Sequence, residues 1–219
     1  MMTAIPTNLY PELFPNLNVA EIDVVAGAAG PGRRLVIWLQ GCLKRCAGCA
    51  NGPFLPQQTS RALTVAQLLY LLDDATELAG ITLSGGEPVL QATALLPLLE
   101  AVRRRGFTVV CYTGYTLEEL TAADNDPTLA KFLAQVDLLI DGEYQQDLPR
   151  AGIYRPSSNQ RLHFLSGRIS PESCESTVET VFAIAGGHAI ATGTLPMSIR
   201  RRLFEKLRAE GITLKVASK

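Results

Sequence analysis

Short apolar segments alternate with amphipathic helical segments along residues 19–165 of this 219-residue chain. Strands are predicted at 19–25, 35–40, 81–84, 107–112, 136–140 and 161–165. Helices are predicted after Thr64, over 91–105, after Thr116 and over 131–135. Strand–helix–strand units are right-handed and produce parallel sheets. The alternation therefore predicts an α/β fold built on a parallel sheet.

Polar or cysteine-bearing turns follow four of these predicted strands. They are the cysteine loop (residues 41–60), Gly85-Gly86-Glu87-Pro88, Thr113-Gly114 and Asp141-Gly142. In open α/β sheets, ligands bind at the carboxyl ends of the strands. We therefore expect the four turns to converge on one rim of the sheet.

The two ends of the chain differ from this pattern. Residues 1–18 carry three prolines and are predicted to form an N-terminal arm, ahead of a main domain over 19–167. Within 168–219, strands are predicted at 177–185, 188–194 and 212–216, with a basic helix that starts at Ser198 and ends near Glu210. This α+β extension is either a separate hairpin with a helix or the closing part of the main sheet.

The composition restricts the function classes that are open to the chain. Hydrophobic residues make up 47% and charged residues 19%, so a sizeable buried core is expected. The net charge of −1 provides no overall field for nucleic acid or an anionic membrane. No apolar run is long enough to span a bilayer, and residues 1–15 lack the pattern of a secretory signal. We expect a cytoplasmic protein that binds neither nucleic acid nor membrane.

Three of the five cysteines lie within eight residues, as Cys42, Cys46 and Cys49 in C-x3-C-x2-C spacing. Thiolates on one short loop can hold three corners of an iron–sulfur cubane while the fourth iron stays open. A structural zinc site needs four ligands, and the two histidines are distant in sequence. Zinc with a distant fourth ligand and unliganded thiols remain alternatives. Cys111 is predicted to be a buried strand residue and Cys174 a surface thiol, which leaves no second cluster.

Combined with the cysteine motif, the turn Gly85-Gly86-Glu87-Pro88 makes the chain resemble the radical S-adenosylmethionine (SAM) enzymes. The resemblance implies a partial (β/α)6 barrel with parallel strands. It also implies one [4Fe-4S] cluster held by Cys42, Cys46 and Cys49, whose open iron binds SAM. Reductive cleavage of SAM then yields a 5′-deoxyadenosyl radical that abstracts a hydrogen atom. Glu87 and its turn are implied to orient the SAM amino group.

Over residues 20–167, the chain resembles the activases of anaerobic ribonucleotide reductase more specifically. These small radical SAM proteins install a glycyl radical on a large partner enzyme. The motifs in common are Gly30-Pro31-Gly32-x-Arg34, the run from Gly41-Cys42 through Cys49-Ala50-Asn51, Tyr112-Thr113-Gly114-Tyr115-Thr116, the run from Asp137 to Asp141-Gly142, and Ser157-Ser158-Asn159-Gln160-Arg161. The resemblance implies cofactor-binding roles for Gly48, Ala50, Gly85, Gly86, Glu87, Thr113, Asp141, Asn159 and Arg161.

A low-potential cluster needs an electron donor, and the resemblance implies reduced flavodoxin or ferredoxin. The arginine triplets 103–105 and 200–202 are predicted to be solvated helix faces, with docking of an acidic donor as the alternative. Three positions depart from the activase pattern. Ala29 replaces an aspartate associated with the partner's glycyl loop, Ala50 replaces an aromatic residue and Pro156 replaces a glycine.

Two other functions therefore stay open. One is a radical SAM enzyme that modifies a peptide or a small metabolite, which the loss of the aspartate and the unmatched extension favour. The other is an iron–sulfur electron carrier or a zinc-loop binding module that never cleaves SAM.

Overall fold

A computed structural model describes residues 4–122, 126–175, 180–185, 188–193 and 213–214, together with Lys206 and Ala209. The strands of the main sheet are β1 (Leu17–Ala26), β2 (Arg33–Leu39), β3 (Arg61–Leu63), β4 (Gly80–Gly85), β5 (Thr108–Tyr112), β6 (Leu138–Asp141) and β7 (Arg161–Phe164). The helices around it are α1 (Val65–Asp74), α2 (Ala92–Arg104), α3 (Leu117–Thr121) and α4 (Pro127–Leu133).

The seven strands lie in the order β3-β1-β2-β4-β5-β6-β7. The central four, β2, β4, β5 and β6, are parallel to one another, so the predicted α/β fold is confirmed for this part of the sheet. At the two sides, β1 pairs antiparallel with β2 and β3, and β7 pairs antiparallel with β6. Parallel strands throughout were a wrong expectation, because neither the β1–β2 nor the β6–β7 connection contains a helix that could carry the chain back. The sheet is open.

Alternation along the strands divides the core between the two faces of the sheet. Val109 and Cys111 face the helices, where they pack in the main apolar cluster with leucines of α2 such as Leu95. Val110 belongs to a second cluster on the opposite face. Cys174 lies in this second cluster, on the short helix α5 (Glu172–Glu175), and is buried. The prediction of a surface thiol was therefore wrong, because polar sequence neighbours concealed a residue that folds back onto the sheet.

Helix starts follow the predicted capping residues. Thr64 caps α1 and Thr116 caps α3, each in a capping box completed by the residue three positions later. The helix predicted at 131–135 is α4, which begins earlier because Asp126 caps it and Pro127 suits its first position. The short edge strand β3 lies where no strand was predicted.

Two buried charges close the amino ends of the parallel strands. The Arg34 guanidinium donates to the carbonyl oxygens of Ile81 at 2.7 Å and Thr108 at 2.8 Å. Asp137, which precedes β6, accepts from Arg103 at 2.8 Å and from the backbone N–H of Val109 at 2.7 Å. The first arginine triplet is therefore not uniformly solvated, since Arg103 pairs with a buried carboxylate.

The N-terminal arm is tied to the start of α2 and the turn before it, while the described strands of the extension form a sheet of their own. The Leu9 N–H donates to the Leu90 carbonyl, and the Thr93 N–H donates to the Thr7 carbonyl. Strands β8 (Thr180–Ala185), β9 (His188–Gly193) and β10 (Thr213–Leu214) form a second sheet in the order β10-β9-β8. The predicted basic helix and the arginine triplet 200–202 fall outside the described residues, apart from Lys206 and Ala209. No helix in the described part of the chain has the length and apolar character needed to cross a bilayer.

Candidate functional site

Glu87 lies two residues after the end of β4, on the rim that the carboxyl ends of β2, β4, β5 and β6 form. Its carboxylate is buried, with Oε2 accepting from the Gly114 N–H at 2.7 Å. Oε1 accepts from the Thr113 hydroxyl at 2.9 Å and the Val89 N–H at 3.2 Å. Burial raises the pKa of Glu87 to about 7, although these hydrogen bonds oppose the shift. The carboxylate thereby joins the turn after β4 to the turn after β5.

Gly85 and Gly86 allow this turn to lie against the start of the cysteine loop. The Gly86 N–H donates to the Leu39 carbonyl at 2.7 Å, and the Glu87 N–H donates to the Gly41 carbonyl at 2.8 Å. A Cβ atom added to Gly86 would lie 2.2 Å from the Gly41 carbonyl oxygen. Only glycine fits such a close approach, so the contact between the two backbone segments explains why glycine lies at this turn.

The cysteine loop begins at Gly41 and is pinned at both ends by backbone hydrogen bonds. The Cys42 N–H donates to the Leu55 carbonyl at 3.0 Å, after a 3-10 turn at Gly52–Phe54. Cys42 is buried, Cys46 and Cys49 are half-buried, and all three are free thiols. Burial raises the pKa of each, and each also feels the charge of another cysteine of the motif.

The residues of this loop fit an iron–sulfur cubane. All three thiols lie on one short loop, and burial raises the pKa of each, an effect that bound cationic iron would reverse. Within the described residues, no three side chains of His, Cys, Asp or Glu are grouped to ligate a single metal ion. In a cubane each cysteine binds a different iron, so its thiolates lie further apart than around one ion. Three thiolates on one loop are the donor set of an iron–sulfur cubane.

Asp141 ends β6 and forms a second buried carboxylate on the rim. It accepts from Arg161 Nε at 3.1 Å and from the Leu117 N–H at 2.7 Å, and Nε2 of His163 lies 2.9 Å away. Burial favours a higher pKa for Asp141, but these partners hold it below its ordinary value. Arg161 also makes a bidentate pair with Glu118, at 2.9 and 2.5 Å. Asp141 therefore anchors Arg161 to the rim.

A cavity of about 450 Å³ opens beside these carboxylates. It is lined by Lys44, Gly114, Thr116, Glu118, Glu119, Gly142, Glu143, Gln145, Asn159 and Arg161. Both signs of charge are present in the lining, which suits a ligand that carries an ammonium and a carboxylate group.

The structure brings most of the predicted site residues to this rim. Asn159 and Arg161 line the cavity, while Gly48 and Ala50 lie on the exposed side of the cysteine loop, away from the cavity lining. The roles of all of these residues stay predictions. Sequence reasoning missed Lys44, which lies inside the cysteine motif and is 3.0 Å from Glu143. The only sequence signal for this contact is that a cation lies within the cysteine motif, while acidic residues follow the other turns of the rim.

Comparison with known proteins agrees with this geometry. Residues 28–163 match the model of the family described as 4Fe-4S single cluster domain. The anaerobic ribonucleoside-triphosphate reductase-activating protein of Escherichia coli (strain K12) is 31% identical over 153 residues, covering 66% of this chain and 94% of the relative. The protein of that name from Vibrio cholerae serotype O1 is 32% identical over 151 residues, covering 65% and 92%.

A further relative is the putative glycyl-radical enzyme activating enzyme of Haemophilus influenzae. It is 40% identical over 105 residues, which cover 46% of this chain and 38% of the relative. The family match spans the cysteine loop and the rim, so it concerns the site as well as the fold. The chain belongs to the radical SAM family of glycyl radical enzyme activases. Its cofactors are a [4Fe-4S] cluster and SAM.

Proposed function

We propose that this chain cleaves SAM reductively at a [4Fe-4S] cluster held by Cys42, Cys46 and Cys49. We further propose that it activates a glycyl radical enzyme of the anaerobic ribonucleotide reductase type, by abstracting a hydrogen atom from a glycine. The observation that carries the proposal is the hydrogen-bonded junction of the cysteine loop, the Glu87 turn and the Thr113-Gly114 turn beside one charged cavity. The names of the relatives support the partner.

When bound, the cluster supplies the electron that splits SAM into methionine and a 5′-deoxyadenosyl radical. The protein contributes position rather than acid–base chemistry, because the radical itself abstracts the hydrogen atom. In this proposal Gly85 and Gly86 let backbone approach SAM closely. Glu87 orients SAM through the Thr113-Gly114 turn, since both of its carboxylate oxygens already accept hydrogen bonds within the protein. Its role is thus indirect.

The cavity is the proposed site for the amino acid end of SAM. Arg161 is fixed by Asp141 and presents a cation to the lining, while Glu119 and Glu143 present carboxylates. The open sheet is proposed to be a partial barrel of the radical SAM type, with α2 and α4 on its outer face. Reduced flavodoxin or ferredoxin is the proposed electron donor, because the reaction consumes one low-potential electron. In this proposal the N-terminal arm covers residues 1–18, the main domain 19–167 and the extension 168–219.

A second candidate is a radical SAM enzyme that modifies a peptide or a small metabolite. The observation in its favour is Ala29, which packs in a small apolar cluster with Val25, Ala28 and Trp38 instead of presenting a carboxylate. A partner glycyl loop would find no acidic group at that position.

The test is anaerobic reconstitution with iron and sulfide, reduction, addition of SAM, and measurement of 5′-deoxyadenosine. A parallel reaction contains a purified anaerobic ribonucleotide reductase, and electron paramagnetic resonance records its glycyl radical. We expect 5′-deoxyadenosine and a glycyl radical that depends on this chain. Formation of 5′-deoxyadenosine without any glycyl radical would favour the second candidate. A full cluster with neither product would contradict the proposal and leave an electron carrier.

A further inference from the structure

Lys44 lies midway between Cys42 and Cys46, yet its side chain points to the other segments of the rim. Nζ lies 3.0 Å from Glu143 Oε1 and 3.4 Å from Glu119 Oε1. It also lies 4.3 Å from the centroid of the Tyr115 ring. The side chain is only 18% exposed, so these contacts are partly shielded from water.

The two carboxylates come from different parts of the fold. Glu119 belongs to α3, where its other oxygen accepts from the Thr116 N–H at 2.6 Å in the capping box. Glu143 follows β6 and its turn at Gly142. Lys44 therefore links the cysteine loop at once to the start of α3 and to the segment after β6. Without Lys44, Glu119 and Glu143 would face the cavity with no ammonium between them.

The segment after β6 makes a further contact with the same loop. The side chain of Gln146 lies so close to Gly48 that a Cβ atom there would be 2.1 Å from its Oε1. Lys44 and Gly48 thus both join the cysteine loop to the segment after β6. The ion pair of Lys44 is the charged one of these two contacts.

We propose that Lys44 is a positioning residue that clamps the cysteine loop against α3 and the segment after β6. The proposal rests on the proposed function, in that the loop is taken as the one that holds the cluster. The clamp limits opening of the loop and so keeps Cys46 in place for iron. A loop that opens more often would exchange its amide hydrogens faster and release iron faster.

The expected size follows from the contacts. Exposed ion pairs change an equilibrium by up to about fivefold, and a cation over an aromatic ring adds a similar amount. Lys44→Gln removes two partly shielded pairs and the ring contact together. We therefore expect the opening equilibrium of the loop to rise roughly tenfold.

The experiment measures amide hydrogen exchange by mass spectrometry in full-length reconstituted protein and in cluster-free protein. The reporting amides are those of Cys42, Cys49 and Gly52, which donate hydrogen bonds within the loop. Leu68 in α1 is the internal reference. Lys44→Gln should speed exchange of the loop amides by roughly tenfold, and Lys44→Arg should restore most of the protection. The matched control is Lys131→Gln, on the exposed part of α4.

A second measurement follows iron release from the reconstituted protein to a chelator. Lys44→Gln should accelerate iron release, and Glu143→Gln should accelerate it less. The double variant should differ little from Lys44→Gln, because both substitutions remove the Lys44–Glu143 ion pair. Loop exchange and iron release within twofold of wild type in Lys44→Gln would overturn the clamp. The exchange of cluster-free protein decides this point even if no 5′-deoxyadenosine forms, so failure of the proposed function is distinguishable from failure of the clamp.

Discussion

Charged side chains are buried at both ends of the parallel strands, and the two ends use them differently. At the amino end, Arg34 is 1% exposed and its guanidinium donates to carbonyl and hydroxyl oxygens of the neighbouring strands. Asp137 accepts from Arg103, from the hydroxyl of Ser166 and from backbone. Each charge is surrounded by partners of the protein itself.

At the carboxyl end, part of the charge is directed to a cavity instead. Glu87 and Asp141 are as buried as the amino-end charges and hold turns together. Lys44 and Arg161, however, are only partly covered and line the cavity. A charged side chain whose partners are all internal joins segments of the fold, while one on a cavity wall can still bind a ligand. We therefore assign a structural role to the buried charges at the amino end and ligand binding to the charges on the cavity wall at the carboxyl end.

The largest expected effect is at the carboxyl end. Cys46→Ala should abolish the stable cubane and the formation of 5′-deoxyadenosine. The free energy of unfolding of the cluster-free chain should change by less than about 1 kcal/mol, because Cys46 is only half-buried. Iron content, product yield and chemical denaturation test this. Cys174→Ala is the cysteine control and should keep its full iron content. If Cys46→Ala also kept full iron and cleaved SAM, the assignment of Cys46 as a cluster ligand would be wrong.

Arg34→Met should show the opposite behaviour at the amino end. The substitution leaves carbonyl oxygens of Pro31, Ile81 and Thr108 without a buried donor, so we expect a loss of about 3 kcal/mol in unfolding free energy. Product yield per folded molecule should stay within about twofold of wild type, since the site is at the other end. Denaturant unfolding measures the first quantity.

The control for Arg34 is Arg104→Met, whose side chain is 70% exposed and reaches Glu100 only at 3.9 Å. We expect a change below about 0.5 kcal/mol there. If Arg34→Met were as stable as Arg104→Met, the stabilising role of the amino end would be wrong.

Glu87 differs from Lys44 and Arg161 at the carboxyl end because it is fully buried there. Its pKa is raised from 4.5 to about 7. The protonated carboxyl therefore contributes stability that is fully present below pH 4.5 and is lost as the pH rises through 7. Relative to Glu87→Gln, which does not titrate, the cluster-free wild type should lose up to about 3 kcal/mol between pH 4.5 and pH 8. Unfolding curves of both proteins across this range give the difference. A difference independent of pH would show that Glu87 has an ordinary pKa.

Much of this rim could be predicted from the sequence because turns after parallel strands must share one edge of the sheet. The order of strands and turns placed Gly85, Thr113 and Asp141 there without any knowledge of side-chain contacts. The capping residues Thr64 and Thr116 were predictable for a similar reason, since capping depends on local sequence alone.

Other features depend on contacts between distant segments and have no local signal. The antiparallel pairing of β7 with β6 depends on the path that the connection 142–160 takes between the two strands. Cys174 lies in a polar stretch, and only its folding onto Val110 buries it. Lys44 finds Glu119 and Glu143 at separations of 75 and 99 positions along the sequence (119 − 44 and 143 − 44). Side-chain partners of this kind require the tertiary structure.

The smallest expected effect concerns Glu118, at the outer edge of the cavity. The Arg161 guanidinium lowers the pKa of this exposed carboxyl to about 2. Its contribution is therefore present above pH 4.5 and declines as the pH falls through 2. Glu118→Gln should lower the denaturant midpoint slightly at pH 6, less at pH 3, and less again in high salt, because exposed pairs are screened. Glu100→Gln, on the exposed side of α2, is the control. A difference that neither pH nor salt reduces would mean that Glu118 acts through packing, and that Arg161 is held on the cavity wall by Asp141 alone.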